Sequence, residues 1–224
     1  MKKFFRIASL DIDVQSGFSE ICPKELPVPG ALEIVNALNE QAKFASVRVG
    51  SKDAHPSGGF WTVGKAYEET KEFQNVDKFW PEHCVAGTLG FTSLPGIPAL
   101  SKYDYFVFKG CDQFFHPYGA CYHDLSERVS TGLIEYLQCN EIDLVLIGGL
   151  ALDYCVKTTA IQLKDAGFMV IVNLEACRGV SQDTITKAII EMTTRKILIV
   201  KDTDQAKKVC GAFKDYFISI GGEL

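Results

Sequence analysis

The chain has 224 residues, 47% of them hydrophobic, and a formal net charge of −5. Its size and apolar content suit one large globular domain, which we expect to cover residues 1–224. The acidic balance disfavours proteins that bind nucleic acid or anionic membranes, because both need clustered positive charge, and no apolar run approaches the roughly 20 residues of a membrane span.

Six short apolar runs predict buried strands. They are residues 4–10, 44–49, 105–108, 143–147, 168–172 and 196–200. The runs are nearly continuous, as expected for a parallel sheet covered on both faces. Helical patterns lie between them, at residues 31–42, 125–136, 156–163 and 181–192. This alternation predicts a three-layer α/β/α fold with a doubly wound, mainly parallel sheet of about six strands.

The N-terminal apolar stretch is interrupted by Arg6 and Asp11 and precedes no small-residue cleavage site. We therefore interpret it as the first strand rather than a signal peptide. The eight cysteines are scattered without a C-x-x-C pair, which is typical of free thiols rather than a disulfide framework. Both features favour a cytoplasmic protein.

Residues 50–104 form a long connection between the second and third predicted strands, rich in Gly, Pro, Trp and Phe. A connection of this length in a compact domain is usually functional. Ligands of open α/β sheets bind beyond the carboxyl ends of the strands, so we expect the chemistry there.

Polar or reactive residues follow four of the predicted strands. They are Asp13, Asp53, Lys109 and Cys155. Cys155 begins a predicted helix, and we expect the helix dipole and a nearby Lys109 to lower the pKa of its thiol. Asp13 could carry a proton between thiol and leaving group. The alternative for Cys155 is a buried structural cysteine at a turn.

Three residues around the long connection could bind a metal ion. Asp53, His55 and His83 supply the carboxylate and imidazole ligands that suit Zn²⁺, Mn²⁺ or Fe²⁺. The alternative for His83 is a histidine held in a turn. His116 and His123 lie in an aromatic loop, and we interpret them as loop histidines rather than ligands.

Five sequence blocks occur in an order that resembles one family, the isochorismatase-like cysteine hydrolases, and within it the nicotinamidases and pyrazinamidases. The blocks are DVQSGF (13–18), KDAHP (52–56), WPEHCVAGT (80–88), FKG (108–110) and GLALDYCVKTTA (149–160). Single blocks are weak evidence, but five in order, spread over most of the chain, favour membership.

The resemblance implies a catalytic triad of Asp13, Lys109 and Cys155. It also implies an oxyanion hole formed by the backbone N–H groups of Ala151 and Cys155, with a cis peptide bond before Ala151. The implied reaction converts nicotinamide to nicotinate and ammonia through a cysteine thioester. The sequence leaves open whether pyrazinamide is a second substrate. The implied physiological role is NAD salvage.

The resemblance further implies one divalent metal ion, Zn, Fe or Mn, that binds the pyridine ring nitrogen. Its ligands would be Asp53, His55 and His83. The ring pocket would be lined by Phe18, Trp80 and Tyr118. The implied partner is a small-molecule substrate, with no nucleic acid or membrane, and the sequence leaves open whether the chain forms a homo-oligomer.

Three other functions stay open at this point. Another member of the same superfamily could act on a ureido or carbamoyl group, but such enzymes commonly lack the metal motif. A non-catalytic interaction domain with this fold would usually have lost the nucleophile or the lysine. A thiol redox protein would need a resolving cysteine, and none stands at C-x-x-C spacing from Cys155.

Overall fold

The computed structural model describes residues 4–64 and 75–223. Within these ranges six strands form one sheet in the order β3-β2-β1-β4-β5-β6, and every neighbouring pair is parallel. The strands are β1 (Ile7–Ile12), β2 (Val47–Asp53), β3 (Tyr105–Lys109), β4 (Leu144–Gly149), β5 (Met169–Cys177) and β6 (Leu198–Val200). The predicted doubly wound parallel sheet is confirmed, and each strand overlaps a predicted apolar run.

Helices cover both faces of this sheet and complete the three layers. They are α1 (Val35–Ala42), α2 (Leu133–Cys139), α3 (Lys157–Asp165), α4 (Gln182–Thr194) and α5 (Thr203–Ser219). Helices α2, α3 and α4 pack on one face, while α1 and α5 pack on the other. Helix α5 is an element that the sequence patterns did not predict.

Strand β4 shows why the apolar runs are continuous. Val145 and Ile147 face the core under α2, α3 and α4, whereas Leu144 and Leu146 face the core that includes α5. All four side chains are fully buried. Successive side chains of a strand point to opposite faces, so a strand covered on both faces needs an apolar residue at nearly every position.

The predicted helix over residues 125–136 was wrong in its first half, because α2 begins only at Leu133. The Asp124 carboxylate accepts hydrogen bonds from the backbone N–H groups of Arg128 and Val129, at 3.0 and 2.9 Å. Glu127 has a positive φ of 58°. A short acidic side chain that bonds the following backbone competes with the helix and favours a turn.

The strand order reverses between β1 and β4, which lie side by side at the centre of the sheet. The connections from β1 run to one edge and those from β4 to the other, which opens a crevice at their carboxyl ends. Gly149 ends β4 with a φ of 136°, and a Cβ atom there would lie 2.1 Å from the carbonyl oxygen of Ile12. Only glycine permits this close approach of the two strands.

All eight cysteines are free, as predicted. In the described ranges, none of the helices combines the length and the apolar character that crossing a membrane requires.

Candidate active site

Four side chains that lie at or beyond the carboxyl ends of four adjacent strands meet at the crevice between β1 and β4. The Nζ atom of Lys109 lies 2.9 Å from Asp13 Oδ2, 2.5 Å from Asp53 Oδ1 and 3.8 Å from Cys155 Sγ. Asp13, Asp53 and Cys155 each place a polar atom within 4.8 Å of those of the other two. The structure thus brings together Asp53 and Lys109, which end β2 and β3, with the two residues that follow β1 and β4 in the chain.

Lys109 balances the charge of this cluster. Burial alone would lower the pKa of Lys109, but the Asp13 and Asp53 carboxylates raise it well above its usual value. Burial would raise the pKa of Asp53, but the Lys109 ammonium together with His55 and His83 holds it below its usual range. The buried cation between two carboxylates therefore stays protonated, which makes the cluster an ion-pair site.

Asp13 differs from Asp53 in its electrostatics. Burial raises the pKa of Asp13, with Lys109 opposing this effect and the Asp53 carboxylate adding to it. The Ser51 hydroxyl donates a 2.6 Å hydrogen bond to Asp13 Oδ1. A carboxyl whose pKa is raised above its ordinary value is better suited to accept and return a proton than an ordinary aspartate.

The expectation of a lowered pKa for Cys155 was wrong. Burial, with the Asp13 and Asp53 carboxylates, raises the pKa of the Cys155 thiol well above its usual value, although Lys109 acts in the opposite direction. Cys155 is 6% exposed and lies within a π-helical turn, Leu152–Val156, that precedes α3. In this dry site desolvation prevails, so the resting side chain is a thiol that needs a base.

The turn that carries Cys155 is tied to the next segment of the chain. The buried Asp153 carboxylate accepts hydrogen bonds from the backbone of Val180 and Ser181 and from the Thr184 hydroxyl. The peptide bond between Leu150 and Ala151 is cis, as the resemblance implied. Among the residues that the structure describes, the Ala151 N–H donates to no backbone carbonyl. The sequence reasoning gave Asp153 no role.

Backbone hydrogen bonds between the segment of His55 and the segment that follows His83 place these two predicted metal ligands side by side. His55 N donates to Cys84 O, and Ala86 N donates to His55 O, which brings His83 beside His55. The ring centroids of the two histidines are 5.0 Å apart. His55 Nε2 lies 3.7 Å from Asp53 Oδ1. The three predicted ligands are therefore neighbours.

Backbone carbonyls orient both imidazole rings. Nδ1 of His55 lies 3.0 Å from Gly110 O, and Nδ1 of His83 lies 2.6 Å from Pro81 O. Since a carbonyl only accepts, each Nδ1 carries a hydrogen, which leaves Nε2 of each ring as the nitrogen that could bind a metal. Burial and His55 lower the pKa of His83 to about 3, so its ring is neutral, as a metal ligand must be.

His116 lies in a loop, as predicted, but its side chain is buried at this site. One ring nitrogen each of His55, His83 and His116 lie within 4.8 Å of one another. No spacing rule points to this placement, since the residues stand far apart in the chain. The single sequence cue is that His116 follows Lys109 in the same strand-end loop.

An aromatic cavity opens onto Cys155. Phe18, Trp80 and Tyr118, the predicted ring-pocket residues, line it together with His83 and His116. Trp80 Nε1 donates a 3.0 Å hydrogen bond to the Tyr118 hydroxyl, which donates at 2.7 Å to Asp77. Tyr154, which the sequence reasoning did not single out, adds a ring 4.8 Å from that of Trp80. Aromatic rings and histidines therefore surround the opening above Cys155.

A larger cleft of about 480 Å³ lies elsewhere, between α1 and the start of α5. It is lined by mixed charges, including Glu40, Lys43 and Lys207, and by none of the predicted site residues. The volume of this cleft does not by itself indicate a catalytic function. The smaller cavity is the candidate active site because it is lined by the nucleophile Cys155 and by Asp53 and His83, two of the predicted metal ligands.

Comparisons with known proteins agree with this geometry. Residues 8–205 match the family described as the isochorismatase domain. The curated nicotinamidase of Acinetobacter baylyi is 29% identical over 213 residues, which cover 89% of this chain and 98% of that protein.

Two solved structures show the same fold. The nicotinamidase/pyrazinamidase of Acinetobacter baumannii has a TM-score of 0.78 and 28% identity, covering 89% of this chain and 98% of its own. The pyrazinamidase of Pyrococcus horikoshii, solved in complex with zinc, has a TM-score of 0.69 and 27% identity, covering 88% of this chain and 99% of its own.

Proposed function

The chain belongs to the isochorismatase family, and we propose that it hydrolyses nicotinamide to nicotinate and ammonia with Cys155 as nucleophile. The observation that carries this proposal is the buried contact of Lys109 with Asp13, Asp53 and Cys155 at the floor of an aromatic cavity. Two relatives that are named as nicotinamidases, and that align with this chain over nearly their whole length, support the proposal.

Asp13 acts first as a base. The Cys155 thiol is protonated at rest, so Asp13 must take its proton as sulfur attacks the carboxamide carbon. The Lys109 ammonium, 3.8 Å from Sγ, stabilises the thiolate as it forms. A new carbon–sulfur bond forms, and the amide oxygen gains the negative charge.

The backbone N–H groups of Ala151 and Cys155 are the proposed donors to that oxyanion. Each such donor in a dry site is worth roughly 10²–10³ in rate. The carbon–nitrogen bond then breaks, and ammonia leaves with the proton that Asp13 held. The product of this half-reaction is a thioester on Cys155.

Asp13 acts a second time in the hydrolysis of the thioester. It takes a proton from water as the water oxygen attacks the thioester carbon. The carbon–sulfur bond breaks, the proton returns to sulfur, and nicotinate is released. The same carboxyl therefore acts as base and then as acid in each half-reaction, a role that its raised pKa favours.

The site residues fit a divalent metal ion. The buried Nε2 atom of His55 has no hydrogen-bond partner among the described residues, and the Nε2 atom of His83 is directed away from the carbonyl that holds its Nδ1. We propose Asp53, His55 and His83 as ligands. A bound ion would supply a Lewis acid that holds the pyridine nitrogen. Phe18 and Trp80 would stack around the ring and aim its carboxamide at Cys155.

The test measures ammonia release from nicotinamide by zinc-loaded wild type, Cys155→Ala and Cys121→Ala. Cys121 is a buried cysteine of the same core and a matched control. We expect release by wild type and Cys121→Ala only, and a covalent acyl adduct on wild type in quenched mass spectra. If zinc-loaded wild type releases no ammonia from nicotinamide but cleaves a ureido or carbamoyl compound, the proposed substrate is wrong.

A further inference from the structure

The imidazole ring of His116 is buried and makes no hydrogen bond with the residues that the structure describes. Its side chain is 4% exposed, and among the described residues neither Nδ1 nor Nε2 has a partner. A buried polar atom left unsatisfied costs about 1–3 kcal/mol, so native structures rarely keep two on one ring. His55 and His83, by contrast, are each anchored to a carbonyl through Nδ1.

The His116 ring lies against the two other imidazoles. Its centroid is 5.2 Å from that of His55 and 5.6 Å from that of His83. One nitrogen from each ring falls within 4.8 Å of the others, a separation that one central ion can bridge. Within the described part of the chain, His55 Nε2 also has no hydrogen-bond partner. Three imidazoles, two of which carry an unsatisfied nitrogen, thus lie close enough together to share one ion.

We propose that His116 is an additional metal ligand, so that this chain holds its ion with three imidazoles, from His55, His83 and His116, together with Asp53. This inference rests on the proposed metal site and names a ligand beyond the three that the motifs indicate. Three histidines are a ligand set that suits Zn²⁺.

The surroundings of Asp53 show why a third imidazole is useful here. Asp53 Oδ1 lies 2.5 Å from Lys109 Nζ, so part of its charge is already committed to an ammonium ion. A carboxylate shared in this way is a weaker metal ligand. The neutral His116 ring adds a donor without adding a charge to the buried cluster.

The competing explanation is that His116 forms an aromatic wall of the cavity. Its ring lies 4.7 Å from that of Trp61 and 5.3 Å from that of Tyr118. A phenylalanine at this position would keep the wall and remove both nitrogens. His116→Phe therefore separates ligation from packing, and His116→Ala removes both.

The experiment measures the Zn²⁺ dissociation constant by competition with a chelating dye, for wild type, His116→Phe, His116→Ala, His83→Phe and His123→Phe. His123 lies in the same loop, is half-buried and stands outside the imidazole cluster, so it is the matched control. Loss of groups that only orient ligands costs 10–100-fold in metal affinity, and we expect His116→Phe and His116→Ala to weaken Zn²⁺ binding by at least about 100-fold. His123→Phe should bind as wild type does.

X-ray absorption of the zinc-loaded wild type gives a second measurement that needs no variant. We expect scattering from three imidazoles. Scattering from only two imidazoles, or wild-type Zn²⁺ affinity in His116→Phe, would overturn the role of His116. Weakened Zn²⁺ binding in His83→Phe would then still support the proposed metal site itself. If wild type itself binds no Zn²⁺, the metal part of the proposed function fails with it.

Discussion

The Nζ atom of Lys109 and the Oδ1 atom of Asp53 lie 2.5 Å apart, with both side chains buried. This ion pair joins the proposed triad to the proposed metal ligands, because one carboxylate serves both. Changes on either side of the pair should therefore affect nucleophile and metal together.

Asp53→Asn should weaken metal binding and slow ammonia release at the same time. The variant removes a charged ligand and half of the countercharge of Lys109. Zn²⁺ affinity and turnover are the two measurements. Asp11→Asn is the control, since Asp11 is equally buried but pairs with Arg48, at 2.6 Å. Equal metal affinity in wild type and Asp53→Asn would contradict the shared role.

Lys109→Met should abolish turnover and destabilise the fold. It would leave Asp13 and Asp53 buried without a cation, and breaking a buried ion pair costs about 3–5 kcal/mol. Denaturant unfolding measures the loss. Lys52→Met is the comparison, because the buried Lys52 ammonium donates to the Phe91 carbonyl at 3.0 Å, and we expect a smaller loss there.

Asp13→Asn should lower the pKa of the Cys155 thiol while stopping ammonia release. Burial is the main cause of the raised value, and the Asp13 carboxylate adds to it, so its removal makes the thiolate easier to form. The pH dependence of alkylation at Cys155 reports this pKa. A thiol that titrates as in wild type, or a variant that still turns over, would argue against Asp13 as the base.

The metal-free protein should lose stability as the pH falls below about 6.5. His83 has a pKa of about 3 in the folded chain because of burial and His55, and an ordinary value of about 6.5 when unfolded. Between these values the unfolded chain binds more protons than the folded chain. The free energy of unfolding therefore decreases as the pH decreases, by up to about 1.4 kcal/mol per pH unit.

Urea unfolding of chelator-treated wild type and His83→Gln at several pH values measures this contribution. The slope of stability against pH between about 4.5 and 6.5 should be steeper in wild type than in His83→Gln. Identical slopes would mean that the His83 ring titrates normally in the folded chain.

Tyr118→Phe should raise KM with little change in kcat. The Tyr118 hydroxyl accepts from Trp80 Nε1 and donates to Asp77, so it fixes the indole that lines the cavity. Loss of one such hydrogen bond costs about 1 kcal/mol, or roughly fivefold in KM. Steady-state kinetics test this, and a fall in kcat alone would place Tyr118 in the chemistry rather than in substrate binding.

The sequence by itself determined the sheet. Strands buried on both faces need an apolar residue at nearly every position, so continuous runs such as residues 143–147 were recognisable without tertiary information. The proximity of Asp13, Lys109 and Cys155 was also predictable, because each follows or ends a predicted strand and parallel strands place their carboxyl ends at one edge of the sheet.

Only the tertiary structure decided three other features. The turn at residues 124–129 depends on a side chain that takes backbone hydrogen bonds, which periodicity does not report. The raised pKa of Cys155 depends on burial and on carboxylates from two other strands. The position of His116 depends on how its loop packs against the segments that carry His55 and His83, a contact between residues far apart in the chain. Local patterns record what each residue does to its neighbours in sequence, whereas desolvation and ligand convergence arise only when distant segments meet.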